Sequence, residues 1–325
     1  MKRRSFLKHT GLAAGSLAVP AILYQMLSDK EKARGQKRLV MIYLQGGNDG
    51  WNTLVPCNNE LYYRSRPSLA LQRSELIPLN DHYGLNPALK ELALLHAKGR
   101  VLFLNKLGHS LQESSHYEAF RIWHRSDNEN GDTWLAPGNS QHEDKFPVRV
   151  FNGDQGKHLA SSSPFIPDYT ACTSGDFSEG LSRISEAIRS GSDANVFHIS
   201  LDGFDTHQFQ SQRQGALLST YSSAVSAFVS DIEAIGQMDN TVILTYSEFG
   251  RSLKENSRRG TDHGNVGCAW LIGSRLNVKG ILHPSAGTDD EARINAAGLP
   301  EQIFRSWCFD DPGQCQFLTN RNIFI

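Results

Sequence analysis

Carboxylates and imidazoles recur in this chain directly after apolar, strand-like runs. Residues 39–44 lead into Gly46-Gly47-Asn48-Asp49-Gly50, residues 196–201 into Gly203-Phe204-Asp205-Thr206-His207, and residues 241–245 into Ser247-Glu248-Phe249-Gly250-Arg251. Gly260-Thr261-Asp262-His263-Gly264 follows closely. In an open α/β sheet, ligands bind beyond the carboxyl ends of the strands. Asp49, Asp205, His207, Glu248, Asp262 and His263 are therefore expected to converge on one metal site. A donor set of oxygens and imidazoles without thiolate favours a divalent ion such as Zn, Mn, Mg or Ca.

Each cluster also has a plainer reading. Asn-Asp-Gly is a common turn in its own right. Asp205 can cap the next helix. Glu248, placed straight after an apolar strand, needs a cation or a metal; Arg251 can be that cation, or can clamp a phosphate or sulfate with its planar fork. Asp262 serves either as a ligand or as the group that orients His263. Ser115-His116 stands where a helix begins, in positive potential that favours an anion. Ser115 is thus a candidate nucleophile with His116 beside it, and Thr53 is the alternative; Ser115 reads equally as a simple N-cap. Asn105 and His109 can line the same pocket.

The elements that must position these residues alternate between strand and helix. Strands are predicted from about Arg38, over 101–104, 148–151, 196–201, 241–245 and 269–272. A helix opens at Asn86-Pro87 and stops at Gly99; another starts after Ser114-Ser115, with Tyr117, Phe120, Ile122 and Trp123 inward. Further helices are predicted over 177–189, 216–235 and 300–307, the second of these with Leu217, Tyr221, Ala224, Phe228 and Ile232 on its buried face. Residues 128–145 read as a long surface loop. The class is α/β with a central, mostly parallel sheet flanked by helices.

The 325 residues carry a net charge of −1, with 39% hydrophobic and 21% charged residues. That balance supports a sizeable core, and no whole-chain field favours nucleic acid or an anionic membrane. At the N-terminus, Lys2-Arg3-Arg4-Ser5-Phe6-Leu7-Lys8 precedes the uncharged stretch 11–27. It resembles a twin-arginine export signal, slightly under the ~20 apolar residues of a spanning helix. Ala18-Val19-Pro20-Ala21 is a poor cleavage site, so an uncleaved signal would be the one contact with a membrane. The expected organisation is a signal at 1–28, a linker at 29–37 and one domain at 38–325. Of five cysteines, Cys308 and Cys315 flank a turn-prone run and are expected to pair in an exported protein; Cys268 reads as core.

The combination Leu44-Gln45-Gly46-Gly47-Asn48-Asp49-Gly50-Trp51-Asn52-Thr53, Ser115-His116-Tyr117, Trp123, Gly203-Phe204-Asp205-Thr206-His207, Ser247-Glu248-Phe249-Gly250-Arg251 and Gly260-Thr261-Asp262-His263-Gly264 resembles the exported DUF1501 family. Tyr62-Tyr63 to Pro67, residues 84–89 and Val278-Lys279-Gly280 fit as well. The resemblance runs from about Arg38 to Lys279. It implies an alkaline-phosphatase-like fold and a metal-dependent hydrolase or transferase of phosphate or sulfate esters, with one or two metals. By position Asp49 matches the first metal aspartate, Asp205 the second cluster and His263 the last histidine, while Glu248 sits where an Asp-His pair is usual. Two departures stand out. Phe249 replaces a histidine, and His207 follows Asp205 by two residues rather than four.

The expected partners are a small-molecule or glycan ester substrate and the twin-arginine export machinery, with no nucleic acid, and the expected location is the periplasm or the extracellular space. The alternative is a non-catalytic member of the same fold that binds a cell-surface or extracellular glycan or a partner protein.

Overall fold

The computed structural model describes residues 35–108, 115–125, 134, 148–151, 174–282, 294–309 and 323–324. The signal segment 1–28, residues 29–34 of the linker, His109, Cys172, Cys315 with its expected bond to Cys308, and almost all of the loop 128–145 lie outside the described residues.

The strands in chain order are β1 (Arg38–Leu44), β2 (Leu54–Pro56), β3 (Ile77–Pro78), β4 (Tyr83–Leu85), β5 (Val101–Gly108), β6 (Val148–Phe151), β7 (Val196–Leu201), β8 (Thr241–Tyr246), β9 (Gly250–Glu255), β10 (Thr261–Gly264), β11 (Gly267–Ile272), β12 (Gly280–Leu282) and β13 (Ile294–Asn295). The helices are α1 (Glu60–Ser65), α2 (Lys90–Ala97), α3 (His116–Trp123), α4 (Ser174–Arg189), α5 (Gln210–Ala234) and α6 (Leu299–Phe309). The main sheet runs β12-β5-β11-β8-β1-β7-β6, with β13 also on β5. Its pairs are parallel except those made by β11, which runs against both β5 and β8. The expected α/β class with a mostly parallel sheet is what the pairing gives.

Every residue of β1 is buried, as a strand covered on both faces requires. Successive side chains point to opposite faces, and the core divides accordingly. Val40, Ile42 and Leu44 pack with α2, α4 and α5 through residues such as Leu92, Phe177, Leu218 and Phe228. Leu39, Met41 and Tyr43 pack with α3 and α6 through Phe120, Trp123, Ile303 and Trp307. The result is helix, sheet, helix in three layers.

Register decides where the polar clusters go. Leu44 lies beside Leu201 and Tyr43 beside Tyr246, so β1, β7 and β8 end together and release their loops on one edge. Residues 250–255 and 261–264, for which no element is predicted, form the antiparallel pair β9–β10. In α3, Tyr117 is exposed and Ile122 half-buried, and Ala119 takes the inward place beside Phe120 and Trp123. Helix α5 also starts earlier than expected, at Gln210, directly after a left-handed Phe209 and without a side-chain cap.

Candidate metal centre

Four side chains from three loop regions meet at the carboxyl edge of the sheet. Asp205 and His207 come from the loop after β7, His263 from β10, and His116 from the first residue of α3. Oδ1 of Asp205 lies 3.2 Å from Nε2 of His207 and 3.6 Å from Nε2 of His263. The two imidazole nitrogens are 3.2 Å apart. Zinc–nitrogen bonds of roughly 2.0–2.1 Å in tetrahedral geometry put ligand atoms about 3.4 Å from one another, so these three atoms stand at the spacing of metal ligands. Nε2 of His116 is 3.9 Å from Oδ2 of Asp205, and His116, Asp205 and His263 each offer an atom within 4.8 Å of the others. All four side chains are one-third to one-half exposed, so the centre is open to solvent.

The remaining carboxylates orient the imidazoles. Glu248 is fully buried. Its Oε1 accepts the Gly46 N–H at 2.9 Å and the His116 Nδ1–H at 2.8 Å; Oε2 accepts the Gly47 N–H and the Ser247 hydroxyl, both at 3.1 Å. With its acceptor sites taken by donors, it keeps the proton of His116 on Nδ1 and aims the Nε2 lone pair at the centre. The hydrogen bond to Glu248 also raises the pKa of His116, against burial, which lowers it. Asp262 does the same for His207, with Oδ1 at 3.3 Å from Nδ1, and its own pKa is held down first by the amide of Asn256 and then by His207. Neighbouring strand residues ordinarily point to opposite faces. The register of β10 shifts between Thr261 and His263, and this irregularity lets both Asp262 and His263 reach His207.

Arg251 differs from its expected roles. It is buried and points its donors at carbonyls: Nε to Gly47 O at 2.8 Å, Nη1 to Thr261 O at 3.0 Å, and Nη2 to Gly46 O and to Phe204 O. Its carboxylate partner is Asp205 at 2.6 Å, not Glu248. It therefore ties the three loops together instead of clamping a substrate anion. The Asp205 carboxyl is held well below the ordinary range by its bond from His263 and then by Arg251, against the opposing effect of burial.

Asp49 is not among the converging groups. It forms a buried ion pair with Arg66, accepts from Gln210, and caps the short turn at Gly50–Asn52 through Trp51 N–H. Both carboxylate oxygens are spent. Its link to the centre is indirect, because Gln210 also accepts from the Thr261 hydroxyl at 2.6 Å, just before Asp262 and His263. Thr53 is buried, with its hydroxyl donating to Asp49 O and Asn48 Oδ1. Ser115 accepts the Glu118 N–H as the N-cap of α3; among the described residues its hydroxyl touches no base. Asn105 donates to the Tyr83 hydroxyl.

Phe249 forms the wall behind the imidazoles. Its ring centroid is 4.2 Å from that of His263 and 4.9 Å from that of His116. A Cβ at residue 47 would overlap this ring, and its φ of +85° is a conformation side chains rarely adopt, so the loop that feeds N–H groups to Glu248 needs glycine there. The residues that sequence reasoning did not single out are Arg66, Gln210 and Asn256, all of them supports. Their only signal was polar character.

Residues 176–297 match the family DUF1501, described as a protein of unknown function. That segment contains Asp205, His207, Glu248, Arg251, Asp262 and His263, so the family resemblance is borne out where most of the centre lies. No curated protein matches the chain. Among solved structures, the chain is similar to the C-terminal periplasmic domain of EcEptC from Escherichia coli in complex with Zn, at 10% identity and TM-score 0.47, covering 84% of this chain and 82% of that one. It is similar to the lipoteichoic acid synthase LtaP from Listeria monocytogenes, at 9% identity and TM-score 0.42, covering 77% and 68%. It is also similar to a protein in the alkaline phosphatase superfamily from Vibrio parahaemolyticus, at 10% identity and TM-score 0.42, covering 84% and 66%.

Proposed function

We propose that this DUF1501 protein is an exported metal-dependent hydrolase or transferase of a phosphate or sulfate ester. The observation that carries the metal reading is the meeting of Asp205 Oδ1, His207 Nε2 and His263 Nε2 at 3.2–3.6 Å from one another, with His116 completing the set. The ester class and the export route rest on the family resemblance and on Arg3-Arg4.

Asp205, His207, His263 and His116 would hold the ion. A divalent metal supplies Lewis acidity to an ester oxygen and acidifies a water. The chain's own residues prepare for it. Asp262 and Glu248 fix the tautomers of His207 and His116, and Arg251 keeps Asp205 ionised and in place. The carboxylates of Asp205, Glu248 and Asp262 outnumber the guanidiniums of Arg251 and Arg258, so the neighbourhood favours a cation. Three imidazoles against one carboxylate narrow the choice toward zinc and away from Mg and Ca. Asp49 is already neutralised by Arg66 and Glu248 is saturated, so the donors suffice for one ion. A serine nucleophile needs an adjacent base; among the described residues the Ser115 hydroxyl caps α3 through the Glu118 N–H, and in this reading a metal-acidified water makes the attack.

The test is elemental analysis of the purified full chain followed by assays on phosphate and sulfate esters, before and after chelation and with zinc restored. One zinc per chain and turnover that follows the metal are expected. A chain that takes up no metal overturns the reading. Full metal content with no turnover favours the glycan- or partner-binding alternative. Replacing Arg3 and Arg4 with lysine is expected to leave the protein in the cytoplasm; unchanged export overturns that part.

A further inference from the structure

We propose that Phe209, with Tyr117 and the Arg258-Arg259 turn, forms a subsite at the mouth of the metal centre for a flat-faced ring carrying negative charge beyond the scissile ester. This rests on the ester reading above and names the kind of ester.

Single exposed apolar side chains are ordinary; position and strain set these apart. Among the described residues four large hydrophobics are exposed, namely Leu61, Leu94, Tyr117 and Phe209. Two of the four stand beside residues of the centre in the chain: Tyr117 follows His116, and Phe209 stands two residues after His207. Phe209 is 61% exposed, yet its backbone is left-handed at φ 50°, ψ 40°. That conformation is an outlier for a bulky residue, and burial of the ring does not offset it.

The conformation is held by neighbours. Phe209 N–H donates to Arg258 O at 3.3 Å and Gln210 N–H to Arg259 O at 3.0 Å, and Arg259 is itself left-handed at φ 56°. Gly260 packs so closely on the His207 backbone that a Cβ there would overlap it. The strap 207–210 and the turn 256–260 are thus one unit, and strain of this kind gathers at ligand clamps.

The charges beside the aromatics are positive. Arg258 and Arg259 are exposed, and Arg258 lies near enough to Asp262 to stabilise its charge. The Arg121 guanidinium sits 5.8 Å over the Tyr117 ring, and also pairs with Glu118 at 3.2 Å. An aromatic face takes the flat face of a sugar or aryl ring, and the arginines take a second anionic group on it.

The experiment uses the zinc-loaded full chain with methyl phosphate, glucose 6-phosphate, glucose 1,6-bisphosphate and 4-nitrophenyl phosphate, together with methyl sulfate, glucose 6-sulfate and 4-nitrophenyl sulfate. KM is read where there is turnover and Kd by calorimetry where there is none. The ring-bearing esters should bind more tightly than the methyl esters, and the bisphosphate most tightly of the phosphates.

Phe209→Gly should cut the preference for ring over methyl by about 3- to 10-fold. Zinc content should be retained, and Tm unchanged or higher, because glycine relaxes the left-handed backbone. Phe209→Trp should keep the preference, and Leu94→Ala, remote from the centre, should change nothing. The sugar and aryl arms identify which ring is taken. An unchanged preference in Phe209→Gly, or a fall in its Tm, overturns the proposal, as does a wild type that does not distinguish rings from methyl. Ring-selective binding without turnover would leave the subsite standing and remove the hydrolase reading; turnover without ring preference would do the reverse.

Discussion

Nδ1 of His116 lies 2.8 Å from Oε1 of Glu248, and this carboxylate receives N–H groups from Gly46 and Gly47 as well. A buried acid at the end of β8 thereby fixes which nitrogen of a helix residue faces the centre.

Glu248→Gln should weaken zinc binding by about 10- to 100-fold. The amide can offer its NH2 to His116, which moves the imidazole proton to Nε2, the atom needed for the metal. Asp262→Asn should cost less, because Asp262 is exposed. Competition against a chromogenic chelator reads both. Equal losses, or none in Glu248→Gln, would contradict the assignment.

Asp49→Asn should destabilise the fold by about 3–5 kcal/mol, since it leaves the buried guanidinium of Arg66 without its charge partner. Zinc stoichiometry of the folded fraction should be unchanged. Urea unfolding and elemental analysis measure the two effects. Loss of one metal equivalent at unchanged stability would make Asp49 a ligand after all.

Ser115→Ala should cost about 1 kcal/mol by removing the cap of α3 while leaving turnover at the same order of magnitude. Complete loss of turnover with zinc still bound would restore Ser115 as nucleophile.

Acid should destabilise the protein through His198. Burial lowers its pKa to about 3, against about 6.5 in the unfolded chain. Between these values the unfolded chain binds the extra proton, so stability rises with pH across the window and falls as pH drops below about 6.5. His124, lowered by burial and then by His198, acts in the same sense. From pH 6.5 to 5 the His198 contribution is on the order of 2 kcal/mol. His198→Phe should show a shallower decline in urea unfolding over that range; parallel profiles would refute it.

The amphipathic helices and β1, β7 and β8 were legible because apolar periodicity and helix caps report burial locally. Asp205, His207, His263 and His116 were legible from their places after strands or at a helix start. Partnership was not. Glu248 and Arg251 read as a pair three residues apart, but β9 begins at Gly250 and turns Arg251 beneath the loops to Asp205, leaving Glu248 to His116. Asp49 read as a ligand because nothing in spacing reveals that Arg66 folds against it. The β9–β10 pair escaped notice because a glycine-rich polar stretch has no alternation to betray it.

Strands β8 and β11 are neighbours in the sheet, with Thr245 opposite Trp270, and residues 247–266 are an excursion between them. That excursion brings Glu248, Phe249, Arg251, Asp262 and His263. The proposed ligand His263 and the groups that orient the centre are thus carried on an insertion between two sheet neighbours, and a chain that lost His263 would keep the pairing of β8 with β11.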